Sequence, residues 1–162
     1  AVVLPKGRAA HRLLADFADD AKRRGIAIGG LLQQGGKSED TPSADVSMIA
    51  LDTGERFPIM QRLGRDACCA VDTQEMAAAT AALRRALATP CQLVIVNKFG
   101  PLEAEGGGLA DEMMAIMAEG VPMLTTVAEA RLDAWLEFCG GQCELLPADM
   151  QSLWLWWERN GP

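Results

Sequence analysis

Leu93 to Val96 form an unbroken apolar run, the pattern of a central parallel strand covered on both faces, and a polar, glycine-rich stretch follows it into a helix. Around this segment the apolar positions change period repeatedly. Ala1 to Leu4 predict a short strand and Pro5-Lys6-Gly7 a turn. Leu13, Leu14, Phe17, Ala18 and Ala21 recur at helical spacing between Arg8 and Arg24, with Gly25 as the stop. Ile26 to Gln33 predict the next strand, with Gly29-Gly30 as a bulge or a point of close packing. Strand, helix, strand in this order is a βαβ unit with a right-handed crossover.

Gln34 to Ala44 are loop in composition. Val46 to Leu51 and Arg56 to Met60 flank Asp52-Thr53-Gly54-Glu55, a hairpin expected at a sheet edge with Gly54 at positive φ. After the short apolar Ala67 to Val71, Asp72 or Thr73 caps a helix that runs to about Ala88, before Pro90. Further helices are expected over Leu109–Glu119, Glu129–Phe138 and Ala148–Glu158, and strands over Pro122–Val127 and Cys143–Leu146. Together these predict one α/β domain over residues 1–162, a three-layer, doubly wound, mainly parallel sheet with a β-hairpin at one edge.

Composition narrows the function classes. A net charge of −7 disfavours a nucleic-acid groove, because phosphate backbones demand a basic footprint. The one basic cluster, Lys22-Arg23-Arg24, sits at a predicted helix C-terminus, where the macrodipole favours cations. No stretch approaches the roughly 20 apolar residues of a membrane span, and no signal-peptide profile opens the chain, so a cytoplasmic, membrane-free location is expected. The chain opens on Ala1 rather than Met, and its true start is expected upstream. The 5 scattered cysteines argue for reduced thiols, and Cys139-Gly-Gly-Gln-Cys143 lacks the further ligands of a zinc site, so no metal is expected. Trp154, Trp156 and Trp157 carry more apolar surface than one helix face can bury. That pattern predicts a partner surface on the last helix, with a homodimer as its simplest form.

In open α/β sheets ligands collect outside the carboxyl ends of strands, which places Asn97, Lys98, Glu103 and Glu105 where a site is built. A phosphate-binding loop is expected after the first strand, yet Leu4 to Arg12 lack the Gly-Lys-Ser/Thr that holds phosphates and magnesium. The strand ending at Val96 finishes on Asn97-Lys98 rather than on the acid that binds Mg²⁺.

The pieces Gly25-Ile-Ala-Ile-Gly-Gly-Leu-Leu-Gln33, Leu51-Asp-Thr-Gly-Glu-Arg56, Cys69-Ala-Val-Asp72, Asn97-Lys-Phe-Gly-Pro-Leu-Glu-Ala-Glu-Gly-Gly-Gly-Leu109 and Gly120-Val-Pro-Met-Leu-Thr-Thr-Val127 resemble a small bacterial domain family of unknown function. Its genes are often met beside those for molybdate transport or molybdoenzymes. More loosely, the same pieces resemble small P-loop nucleoside-triphosphatases, with Asn97 to Glu103 in register with their acidic motif but keeping only Gly100 and Glu103. The resemblance implies a P-loop-type fold with degenerate nucleotide motifs, and a connection to molybdenum metabolism.

The expected function is a non-hydrolytic accessory protein that binds a small anion (molybdate, phosphate or sulfate) or a nucleotide and requires no cofactor. If the first βα turn and the Asn97 loop follow adjacent parallel strands, Gly7, Arg8, His11, Asn97, Lys98, Glu103 and the amides of Gly106, Gly107 and Gly108 form the cradle. No catalytic residue is assigned, and Cys69 is a candidate reactive thiol or a buried small hydrophobe. Two alternatives stand beside this reading. One is a divergent nucleoside-triphosphatase in which Lys98, Lys6 or Arg8 replaces the missing lysine and Glu103 is the base; the other is a structural partner protein that docks through its tryptophan-rich helix.

Overall fold

A computed structural model of the chain describes residues 1–5, 11–35, 46–62 and 69–162. The strands are β1 (Val2–Leu4), β2 (Ile28–Gln34), β3 (Ser47–Ala50), β4 (Arg56–Phe57), β5 (Met60–Arg62), β6 (Cys69–Val71), β7 (Leu93–Asn97), β8 (Met123–Leu124) and β9 (Thr126–Ala128). The helices are α1 (His11–Arg23), α2 (Thr73–Leu87), α3 (Pro101–Ala104), α4 (Ala110–Ala118), α5 (Leu132–Phe138, entered through a 3₁₀ turn) and α6 (Met150–Asn160). Among the described residues no helix is long and apolar enough to cross a membrane.

The architecture is α/β with mixed sheets. Five strands run in the order β4-β3-β2-β7-β8, parallel from β2 through β7 to β8 and antiparallel from β2 outward to the edge hairpin β3-β4. Gly54 turns that hairpin at φ 75°, and Pro58, which has no N–H for a ladder, follows the two-residue β4. β5 and β6 form a small antiparallel pair of their own that the sequence pattern did not reveal.

β7 is buried along its whole length, and its side chains divide between two apolar clusters. Leu93 and Ile95 pack with Leu14, Phe17 and Ala18 of α1 and with Leu153 and Trp156 of α6. Val94 and Val96 pack with Leu83 of α2, Met113 of α4 and Trp135 of α5. Period-2 alternation sends successive residues to opposite faces, so an unbroken apolar run needs apolar cover on both. Each of the Leu, Ile, Val, Phe and Met side chains among these contributes about 1.5–3 kcal/mol by leaving water. Gly30, at φ 124°, lies so close to the Ile95 backbone that any Cβ there would collide with it, which makes the Gly29-Gly30 pair a point of close packing.

Several expectations need correction. The strand expected over Pro122–Val127 breaks at Thr125, because it changes partner: β8 pairs with β7, and β9 pairs in parallel with β1. β1 therefore does not neighbour β7. Strand Cys143–Leu146 reduces to a single bridge between Leu146 and Val2. The first helix is seen from His11, and Arg8 lies outside the described residues. Asp72 caps α2 as expected, its Oδ1 accepting from the amides of Gln74 at 3.0 Å and Glu75 at 3.1 Å.

The indoles of α6 find partners within the chain. Trp156 is buried, Trp154 packs on Phe17 with ring centroids 4.8 Å apart, and the Arg24 guanidinium lies 3.7 Å above Trp154. Trp157 borders the same cluster, tilted against Trp156. The fold thus absorbs part of the apolar surplus that suggested an interface: Trp156 is buried, Trp154 and Trp157 are half-buried, and Leu155 is 48% exposed.

Candidate functional site

The carboxyl end of β7 is polar and yet enclosed. Asn97 is only 3% exposed, and its Oδ1 accepts a hydrogen bond from the Thr126 hydroxyl at 3.3 Å. Its Nδ2 is buried with no hydrogen-bond partner among the described residues. An unmet buried donor costs about 1–3 kcal/mol, and native proteins keep few of them. The Asn97–Lys98 peptide is cis, and the chain then returns to the sheet through Phe99, whose amide donates to the Thr126 carbonyl at 3.1 Å.

The loop beyond is held by Glu103. Its carboxylate, 6% exposed, accepts from the Gly100 amide at 2.9 Å and the Leu109 amide at 3.1 Å, closing the stretch from Gly100 to Leu109 that links β7 to α4. Gly108, at φ 58°, lets the backbone pass close over that carboxylate; a Cβ there would strike Oε1. The amides of Gly106 and Gly107 donate to the carbonyls of Glu103 and Leu102 at 3.1 and 2.8 Å. They are thereby taken from the anion cradle, and the glycines serve the turn. Glu105 is exposed at the end of α3.

The structure brings together only part of the expected set. Asn97 and Lys98 stand at the strand end, Glu103 beneath the loop, and His11 opens α1, on the segment that follows β1. The expected convergence assumed adjacent strands, and the 123–128 segment lies between β1 and β7 instead. Gly7 and Arg8 lie outside the described residues, as do the side chains of His11 and of Cys69 in β6. Thr126 was missed. A Thr-Thr pair interrupting an otherwise apolar strand at the level of Asn97 was the signal that could have found it.

A second feature opens on the same face of the sheet. The α1 stripe Arg12, Ala15, Asp19 and Lys22 overhangs Leu32 and Ile49, leaving a cleft of about 660 Å³. Among the described residues no group of three or more His, Cys, Asp or Glu side chains is placed to hold a metal ion. The thiols of Cys91 and Cys139 are pushed up from their ordinary values, chiefly by burial.

A family model described as "Protein of unknown function (DUF2478)" matches residues 1–156. The chain belongs to this family. It is also 40% identical over 148 residues to the molybdenum import ATP-binding protein ModC 2 of Bradyrhizobium diazoefficiens, a match covering 90% of the chain and 16% of that relative. The chain thus spans about a sixth of the relative's length. Among solved structures, that of a human cancer-related nucleoside triphosphatase superposes with a TM-score of 0.66 at 16% identity, covering 90% of this chain and 85% of that one. At such identity the likeness speaks for the fold.

Proposed function

We propose that the chain is a nucleotide- or oxyanion-binding accessory module of molybdenum metabolism, with a P-loop-like fold whose magnesium-handling groups have been replaced by hydrogen-bond donors. The observation that carries this reading is the buried Nδ2 of Asn97 at the carboxyl end of β7, which has no hydrogen-bond partner among the described residues. An amide donor there suits an oxygen acceptor, whereas divalent cations require oxygen ligands. Lys98 follows on the same strand end, and α1 starts on the segment after β1, the position from which helix amides meet an anion. The apolar clusters on both sides of β7 support the doubly wound, three-layer arrangement.

Non-hydrolytic binding is favoured over turnover by the state of Glu103. Both of its oxygens already accept backbone amides, so it is not disposed to take a proton from water. The similarity to ModC 2 supports the molybdenum connection.

Calorimetry at low salt with molybdate, sulfate, phosphate and ATP, with and without magnesium, tests the reading. At least one oxyanion or nucleotide should bind without magnesium, more weakly as salt rises, and Lys98→Ala should cost about 1–3 kcal/mol. Absence of binding by every probe would overturn the proposal. Magnesium-dependent phosphate release faster than roughly 1 per second would instead favour a divergent triphosphatase.

A further inference from the structure

Cys139 and Cys143 are brought together by the way α5 ends. Cys139 closes the helix, its amide donating to the Trp135 carbonyl at 3.0 Å. Helices commonly stop on one left-handed residue, usually glycine. Here two follow in succession, Gly140 at φ 58° and Gly141 at φ 73°, conformations that a residue with a Cβ adopts only at a cost. The Gly141 amide donates back to the Leu136 carbonyl at 2.8 Å and the Gln142 amide to the Cys139 carbonyl at 3.0 Å, so the chain reverses at once. Cys143 is thereby returned beside Cys139. Both cysteines are half-buried against the same apolar cluster, and their thiols lie within hydrogen-bonding reach of each other.

The cap of α5 is made by backbone amides and glycines and requires neither thiol. Among the described residues no group of three or more His, Cys, Asp or Glu side chains makes the pair part of a metal site. The turn faces open space: a Cβ built on Gly140 or Gly141 would meet nothing within 4 Å, so a small reagent can approach and the loop can tighten. The other side of the pair leads to the candidate site. Phe138, next to Cys139 in the chain, and Trp135, one turn before it, both pack on Phe99 with ring centroids 5.1 Å away. Phe99 follows Lys98, and its amide ties the chain beyond Asn97 to the Thr126 carbonyl at 3.1 Å.

We propose that Cys139 and Cys143 are a reversible dithiol–disulfide couple, oxidised by low-molecular-weight disulfides of the glutathione class, and that its state is transmitted through α5 to Phe99. The inference goes beyond the anion-binding reading and does not depend on it. Burial, and then the contact with Cys143, push the Cys139 thiol up from its ordinary value, so Cys143 makes the first attack. Its thiolate breaks the S–S bond of the small disulfide, forms a mixed disulfide and releases one small thiolate. Cys139, its proton passing to solvent, then attacks the Cys143 sulfur and expels the second small thiolate. Two protein thiols and one small disulfide thus become one protein disulfide and two small thiols, both electrons going to the reagent. The second step is intramolecular, and proximity favours it over a second encounter with reagent. Closing the bond fixes the Cys139 side chain and draws the last turn of α5 toward Cys143. In a close-packed cluster that displacement passes through Phe138 to Phe99.

The test equilibrates the unmodified protein with mixtures of reduced and oxidised glutathione, alkylates the remaining thiols in denaturant and maps the tryptic peptides. Cleavage after Arg131 and Arg159 leaves both cysteines in one peptide, 132–159. In oxidising mixtures that peptide should appear unalkylated and lighter by two hydrogens, and dithiothreitol should restore the dithiol. Cys139→Ala should trap glutathione on Cys143. Hydrogen exchange at the Phe99 amide should change by at least about threefold on oxidation, and not in the Cys139→Ala, Cys143→Ala double variant under the same mixture. A 132–159 peptide that stays fully alkylated, carries only glutathione adducts or is joined to a peptide with another cysteine would overturn the couple. A disulfide that forms without altering exchange at Phe99, or an equal change in the double variant, would overturn its transmission to the strand end.

Discussion

Replacing Gly108 by alanine should break the latch that holds the Asn97 loop, and the cost follows from two observations. The first is conformational: at φ 58° an L-residue pays about 1–2 kcal/mol that glycine does not. The second is steric, since the added Cβ would collide with Glu103 Oε1 and lie 3.0 Å from Cδ. The carboxylate must then leave the Leu109 amide, and a hydrogen bond to a charged group contributes about 1.5–3 kcal/mol. The sum is about 2.5–5 kcal/mol, a large part of the 5–15 kcal/mol typical of a whole domain. Glu103→Gln attacks the same latch from the other side: one end of its amide is an NH₂ facing an N–H donor, at a cost of about 2–4 kcal/mol. Because both substitutions disable one device, the double variant should cost clearly less than the sum of the singles. Urea denaturation gives the three values, and hydrogen exchange should show the Gly100 and Leu109 amides losing protection in each single variant. Additivity within about 0.5 kcal/mol, or a Gly108→Ala cost below about 1 kcal/mol, would refute the latch.

Asn97→Leu removes a buried donor that has no partner among the described residues but also takes the acceptor from the buried Thr126 hydroxyl, so it should change the stability of the ligand-free protein by no more than about 2 kcal/mol in either direction while abolishing oxyanion binding; a variant that still binds would contradict the assignment. Arg84→Met should cost about 1–3 kcal/mol in thermal unfolding, since Glu112, 4% exposed, would lose the guanidinium whose Nε lies 2.9 Å from its carboxylate; the exposure of Arg84 keeps the figure below that of a fully buried pair. Hydrogen bonds from Arg159 and Asn160 hold the Glu144 carboxyl below its ordinary value, and those from the Ser152 amide and hydroxyl do the same for Asp149. A carboxyl lowered by folding contributes stability above its unfolded pKa and loses it as pH falls through the folded one, so tryptophan fluorescence of α6 should report loosening below about pH 4. An unchanged acid profile in the Glu144→Gln, Asp149→Asn double variant would remove that cause. Cys91 and Cys139, with thiols raised by burial, should react with iodoacetamide more slowly at neutral pH than an unfolded peptide of the same sequence.

Much of the local structure was fixed by residue pattern alone. The run Leu93 to Val96 could only be a strand covered on both faces, Asp72 could cap α2 through its own side chain, and Gly54 could turn the edge hairpin, because these are short-range consequences of side-chain chemistry. The same holds for what the chain lacks: a missing Gly-Lys-Ser/Thr, and an Asn97 where an acid is expected, are legible without any coordinates. Periodicity reports which face of an element is apolar, however, and not which element covers it. The insertion of the 123–128 segment between β1 and β7, the division of that segment between two partners, and the inward placement of the α6 indoles were decided by long-range packing. The site shows the same division. Asn97 and Lys98 were visible at a strand end, but Thr126 joins Asn97 from 29 residues away, Glu103 turns inward because two backbone amides need an acceptor, and the cleft exists only where α1 stops short of covering Ile49. Hydrogen bonds between distant segments depend on where the fold brings their atoms, and no local pattern encodes that position.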